Sequence, residues 1–274
     1  KIKKFNSTQP ELFFTNRNEI IFFNGKGTII KLNEDLNKVW ETNNYSKKEK
    51  KLSPILYFAQ VKNILIVNDT VSKMYAINLN DGNIIWTKYS PSSFNSNVKV
   101  FKDIYFSIDF DNVIRAFSST NGEEIWNFST ENSFIKSEKK LSLIIKDEIV
   151  FFINNLGDIT ALDVNNGALI WQTPTQNNKI YQEAFSLENS DLVFENDTIY
   201  FSNNKNEFFS IDARSGIIKW IQSVNSNLRP TVIDGLVYTI SNEGYLFIID
   251  DNTGNVIRIT DVIKNLKNRA DINP

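Results

Sequence analysis

An all-β fold built from repeated four-stranded units is what this sequence predicts, and three features carry the prediction. First, 21 Phe and abundant Ile and Val stand against 10 Gly and 6 Pro in 274 residues, a composition that leans towards strands rather than disorder. Second, Trp40, Trp86, Trp126, Trp171 and Trp220 follow one another at intervals of 46, 40, 45 and 49 residues. Third, every Gly falls between short apolar runs, where turns are expected.

The clearest element of each repeat is its last hairpin. Four of the Trp residues end one phrase: NDGNIIW at 80–86, TNGEEIW at 120–126, NNGALIW at 165–171 and RSGIIKW at 214–220. A sixth copy, NTGNVIR at 252–258, has Arg258 in the Trp place, and the first copy, ending at Trp40, lacks the Gly. Upstream stands a column of short hydrogen-bonding side chains, Asn33, Asn78, Ser118, Asp163, Asp212 and Asp250, each closing an apolar run. A strand that stops at such a residue can turn on its side-chain oxygen. Gly82, Gly122, Gly167, Gly216 and Gly254 then supply the positive φ of the turn. The identical place of Trp in the returning strand predicts that each indole docks one unit onto the next, a structural role rather than a ligand platform.

The second and third strands of each copy are equally plain. Runs IIFF at 20, ILIV at 64, IYFSI at 104, IVFFI at 149, IYFS at 199 and LVYTI at 236 read as second strands. Third strands carry a small residue, Ala76, Ala116, Ala161 or Ser210, one place before their last apolar position. Looser runs entered through Pro or Ser, such as Pro10–Phe14, Ser53–Leu56 and Pro230–Ile233, read as first strands. The repeats span about 10–43, 53–89, 96–129, 141–173, 191–223 and 230–260. Short antiparallel sheets at this period, whose two apolar faces need neighbours to cover them, are the blades of a β-propeller, here six-bladed or part of an eight-bladed ring, treated as one domain over 1–274.

Charge and reactive side chains narrow the function. Thirty Lys and Arg face 32 Asp and Glu, a net charge of −2, which offers nucleic acid no attraction. The run Lys47, Lys48, Lys50 and Lys51 reads as a solvated loop. With no Cys and no His, the chain has no disulfide, no thiolate or imidazole metal ligand and no Ser-His-Asp triad. No apolar run is long enough for a transmembrane helix, and no signal-peptide pattern opens the chain.

The phrase apolar-Ala-apolar-Asp, Asn-Gly, three residues, Trp, clearest in Ile159-Thr160-Ala161-Leu162-Asp163 with Gly167 and Trp171, resembles the repeat of the pyrroloquinoline-quinone-like propellers over about residues 10–260. Two branches share that repeat. The quinone-dependent dehydrogenases imply a longer eight-bladed chain, often a disulfide of adjacent cysteines, and a calcium held by Glu, Asn and Asp. The BamB branch implies a non-catalytic periplasmic scaffold, lipid-anchored to the outer membrane of Gram-negative bacteria, that binds the periplasmic domains of the insertase BamA. Size and the lack of catalytic side chains place this chain with the BamB branch, although its lipobox Cys is absent and that family has eight blades. Both departures suit a processed or trimmed product, with Lys1–Asn6 as the last strand of a preceding copy and Arg269–Pro274 as the lead into a following one; alternatively, Lys1–Ser7 completes the last blade of a six-bladed ring.

The expectation is therefore a protein-binding scaffold with no cofactor, no metal and no intrinsic oxidoreductase or hydrolase activity; the alternative is a quinoprotein dehydrogenase-like or sugar-binding propeller. Asp163–Gly167 and Asp250–Gly254 look like calcium loops but lack a late bidentate Glu, so they read as hairpin turns. Glu123 with Glu124 and Asp109 with Asp111 read as plain surface. From the Asx or Ser residue to Trp the spacing is seven or eight, whereas from one Trp to the next Asx or Ser residue it is 38, 32, 37, 41 and 30. Variable loops on a rigid frame carry binding specificity. The partner-binding residues expected there are Leu228 and Arg229 first, then Ile180, Tyr181 and Phe185.

Overall fold

The computed structural model describes residues 12–25, 27–131, 139–175 and 187–264. Six antiparallel sheets, each a four-stranded meander in chain order, account for nearly all its regular structure. Sheet one is β1 (Leu12–Phe14), β2 (Ile20–Phe23), β3 (Thr28–Leu32) and β4 (Lys38–Asn43); a short helix, α1 (Lys47–Lys50), leads into sheet two, β5 (Leu56–Val61), β6 (Ile64–Asp69), β7 (Lys73–Asn78) and β8 (Ile84–Tyr89). Sheet three is β9 (Lys99–Phe101), β10 (Ile104–Ile108), β11 (Val113–Ser118) and β12 (Glu124–Ser129). Sheet four is β13 (Leu143–Lys146), β14 (Ile149–Ile153), β15 (Ile159–Asp163) and β16 (Leu169–Thr173). Sheet five is β17 (Val193–Glu195), β18 (Thr198–Asn203), β19 (Glu207–Asp212) and β20 (Ile218–Gln222), and sheet six is β21 (Thr231–Ile233), β22 (Leu236–Ile240), β23 (Tyr245–Asp250) and β24 (Val256–Asp261). The chain divides after Ser129 into two compact units of three sheets each.

Within each unit, apolar side chains of successive sheets close on one another. Ile21, Ile29 and Trp40 of sheet one pack with Leu65, Val67, Tyr75 and Ile77 of sheet two. Ile66, Met74 and Ala76 on the other side of sheet two meet Tyr105 and Phe117 of sheet three. In the second unit Phe151, Ile159 and Ala161 meet Ile199, Phe209 and Ile211, and Tyr200 and Phe208 meet Val237 and Ile249. Burying both faces of a sheet in this way is why β6, β7, β10, β14 and β18 read as unbroken apolar runs rather than alternating ones.

The hairpin joint repeats in atomic detail. The Gly82 amide donates to the Asn78 carbonyl and the Gly122 amide to the Ser118 carbonyl, and Gly167, Gly216 and Gly254 bond in the same way. Side-chain oxygens of Asn33, Asn78, Asp163, Asp212 and Asp250 accept turn amides. Four of the Trp residues donate the indole N–H to the backbone of the next hairpin: Trp40 to Leu79 at 2.9 Å, Trp86 to Ser119 at 3.1 Å, Trp171 to Ala213 at 3.0 Å and Trp220 to Asp251 at 2.9 Å.

Glycine has a second reason to stand there, which the turn alone does not disclose. At Gly122, with φ +69°, a Cβ would lie 2.6 Å from the Trp86 ring, and at Gly254 a Cβ would lie 2.7 Å from Trp220. Gly82, Gly122, Gly216 and Gly254 are thus the seats of the preceding repeat's indole. Trp40 is buried, whereas Trp86, Trp126, Trp171 and Trp220 remain half-buried.

A β-bulge sits beside each Trp. The third strand pairs its small residue with Trp and its next residue with a partner two places earlier, as in Ala76 with Trp86 and Ile77 with Ile84. The skipped residue is Val39, Ile85, Ile125, Ile170, Lys219 or Ile257, all of them exposed. Sheet one departs from the pattern by placing buried Lys31 in the small-residue position; its ammonium donates to the same Leu79 carbonyl as Trp40 and pairs with Glu19 at 2.8 Å. In sheet six Ile248 faces Arg258 instead of a small residue facing Trp.

Candidate protein-binding surface

Each sheet has two ends. At one, the last hairpin bonds to the turn between the first and second strands, as Leu79 does to Asn63, Ser119 to Asp103 and Ala213 to Asp197. At the other, the variable loop between sheets bonds to the turn between the second and third strands, as Ser90 does to Ser72 and Phe94 to Asp69. The loops of unequal length therefore share an end with those turns.

Two further columns organise this loop end, and both are legible in hindsight. Second strands close on Asn24, Asp69, Asp109, Asn154, Asn203 or Ser241, whose side-chain oxygen accepts the amide four residues on. Three of the five variable loops end in Asn95-Ser96-Asn97, Asn189-Ser190-Asp191 and Asn225-Ser226-Asn227. Ser96 and Ser190 accept amides of Ile108 and Ser202 at 2.7 and 2.9 Å, while Ser226 donates to the Ile240 carbonyl at 2.7 Å. The repeated Asn-Ser-Asn/Asp phrase was the available signal.

Two members of the first column are carboxylates, which corrects the reading of Asp109 as plain surface. Asp109 is 0% exposed, accepts the amides of Asp111 and Val113, and takes the Arg115 guanidinium at 3.0 Å. Burial pushes its carboxyl above the usual range, against the pull of the Val113 amide and Arg115. Arg115 also reaches Glu124 at 2.7 Å, so Glu124 closes an ion-pair chain. Asp69, likewise buried and raised, accepts the Tyr45 hydroxyl at 2.6 Å.

The apolar residue after the Asn-Ser-Asn/Asp phrase is core in two of its three copies: Val98 is 5% exposed and Leu192 is 1% exposed. Leu228, the third, is 39% exposed, with its amide held by the Ser226 hydroxyl at 3.2 Å. Arg229 is exposed and lines a groove of about 660 Å³ along β13 and β17, whose walls include Ile145, Lys146, Val193, Phe194 and Glu195. Neighbours in sequence, Leu228 and Arg229 thus offer an apolar and a guanidinium contact in one short stretch. Ile180, Tyr181 and Phe185 lie outside the described residues, as do Lys1–Ser7 and Arg269–Pro274.

The family model described as outer membrane protein assembly factor BamB matches residues 15–260. The chain belongs to the BamB family. Among solved structures, BamB from Moraxella catarrhalis superposes with a TM-score of 0.73 at 15% identity, covering 91% of this chain and 75% of that one. A europium-containing methanol dehydrogenase superposes with a TM-score of 0.71 at 14% identity, covering 92% of this chain and 68% of that one. At such identities the superpositions establish the fold, a β-propeller of four-stranded blades. No curated protein sequence matches significantly. BamB-family membership points to protein partners in outer-membrane assembly, and no described helix is long and apolar enough to cross a membrane.

The dehydrogenase branch of the repeat resemblance implies a calcium held by Glu, Asn and Asp. Such a cation takes several oxygen ligands, with carboxylates prominent among them. Among the described residues no three Asp or Glu side chains form a cluster that could hold a metal ion.

Proposed function

We propose that the chain is a non-catalytic protein-binding scaffold of the BamB type, serving outer-membrane β-barrel assembly in the periplasm of a Gram-negative bacterium. In this reading it is held at the outer membrane by a lipid on a cysteine that the present chain does not contain, and its partner is the periplasmic part of BamA. The observation that carries the reading is Leu228, the exposed member of a column otherwise committed to the core, standing beside exposed Arg229 at the loop end. A large apolar side chain left out of a core position, next to a guanidinium, has the composition of an interface hot spot. Binding of purified BamA periplasmic domains to the immobilised chain tests it: Leu228→Ala and Arg229→Ala should each weaken binding about tenfold or more. Undiminished binding in both variants overturns the assignment of these residues, and no binding by the wild-type chain overturns the partner.

The second reading, a quinoprotein dehydrogenase, has the methanol dehydrogenase superposition in its favour. Calorimetric titration with the quinone and calcium separates the two. Saturable uptake with dye-linked turnover supports the enzyme, and its absence the scaffold.

A further inference from the structure

The cationic run between β4 and β5 is solvated, as its composition suggests, but it forms a one-turn helix rather than a loop. Ser46 and Glu49 form a capping box around α1, the Ser46 hydroxyl accepting the Glu49 amide at 3.3 Å and the Glu49 carboxylate accepting the Ser46 amide at 2.7 Å. The other Glu49 oxygen accepts buried Lys73 at 3.0 Å and the Tyr89 hydroxyl at 3.1 Å. Burial would raise the Glu49 carboxyl, but the bonds from Ser46 and Lys73 prevail and hold it at about 2. Tyr45, one residue before the cap, is anchored on Asp69, and Pro54 is buried beyond the helix. The segment is thereby fixed at both sides.

What it presents is unbalanced. Between Glu41 and Asp69 the sequence holds a single acidic residue, Glu49, and that carboxylate is turned inward on Lys73. Lys47, Lys48 and Lys51 are exposed; the stem of Lys50 lies over Gly27. Beside them Leu52 is 65% exposed, Ile55 57% and Tyr89 64%. An acidic protein segment would satisfy the lysines and leave these three apolar groups in water. The surface of an anionic bilayer accommodates both, since lysines find phosphates while Leu, Ile and Tyr enter the headgroup boundary.

We propose that the segment Lys47–Ile55, with Tyr89, docks on anionic phospholipid. The proposal is independent of the scaffold reading, so its failure leaves that reading intact. The test is co-sedimentation of the chain with vesicles of phosphatidylcholine alone or with phosphatidylglycerol at about one lipid in three. Binding is expected to the anionic vesicles alone and to weaken with added salt. Lys47→Gln/Lys48→Gln/Lys51→Gln should reduce partitioning on the order of a hundredfold, about fivefold per charge. Leu52→Ser/Ile55→Ser should weaken it roughly tenfold while keeping its salt dependence. All five positions are exposed, and an unchanged melting curve verifies that the variants fold. Equal sedimentation with both vesicle types, or by the triple variant and wild type, overturns the proposal. So does capture of a poly-glutamate peptide without vesicle binding, which would give the segment an acidic protein partner instead.

Discussion

The hairpin end and the loop end of these sheets solve the same problem, joining one sheet to the next, in opposite ways. At the hairpin end one joint is reused: an indole N–H on a backbone carbonyl and a glycine beneath the ring, as in Trp86 with Ser119 and Gly122. At the loop end the turn caps recur, but the junctions between sheets differ in their partners. Sheet two uses Tyr45, Asp69, Lys73 and Glu49, whereas sheets five and six use Ser190, Asn203 and Ser226. A joint that recurs unchanged can serve only the frame. Junctions that differ leave room for side chains with no structural duty, and Leu228, Arg229, Leu52 and Ile55 are found there.

The hairpin end should therefore be the costly one to disturb. Trp40→Ala, which empties the most buried of the indole seats, should destabilise by about 3–5 kcal/mol in denaturant unfolding; the half-buried Trp171 should cost nearer the bottom of that range or below it. Gly122→Ala comes next. The new methyl would meet the Trp86 ring at 2.6 Å in a left-handed backbone conformation, which predicts a loss of about 2–3 kcal/mol.

At the loop end Glu49→Gln sharpens the comparison through pH. The Glu49 carboxyl is depressed from 4.5 to about 2 in the folded chain, so its ion pair stabilises above the unfolded value and the contribution is lost as pH falls through about 2. With allowance for solvent screening of this partly exposed group, wild type should exceed the variant by about 1–2 kcal/mol at neutral pH, and the gap should close between pH 4.5 and 2. A gap that widens on acidification would contradict the assignment. The smallest effect belongs to the bulge column: Ile85→Ser should change stability by no more than about 0.5 kcal/mol, since its side chain faces solvent.

The hairpin end was largely legible in the sequence because its chemistry is local. Asx, Gly and Trp stand at fixed offsets within one hairpin, so their roles follow from turn geometry and spacing. What stayed hidden was each partner one repeat away: that Gly122 seats Trp86, or that Lys31 replaces a small residue by capping Leu79. The loop end was less legible because its turn column, Asn24 to Ser241, is chemically mixed, and because contacts such as Tyr45 to Asp69 and Lys73 to Glu49 join positions 24 residues apart. Asp109 looks like surface until Arg115 and the turn amides are seen around it. The four lysines look balanced by Glu49 until that carboxylate is seen turned inward on Lys73. Leu228 was singled out from loop length, but its exposure acquires meaning only beside buried Val98 and Leu192.

The division of labour between the two ends is tested most directly by measuring stability and binding on the same variants. Melting curves and affinity for the BamA periplasmic domains should be recorded for Trp171→Ala and for Leu228→Ala/Arg229→Ala. The account predicts that the Trp variant melts lower yet binds normally at temperatures where it is folded, while the double variant melts like wild type and loses binding by about a hundredfold. Lost binding in the folded Trp variant, with the double variant binding as wild type does, would place recognition at the hairpin end and contradict the account.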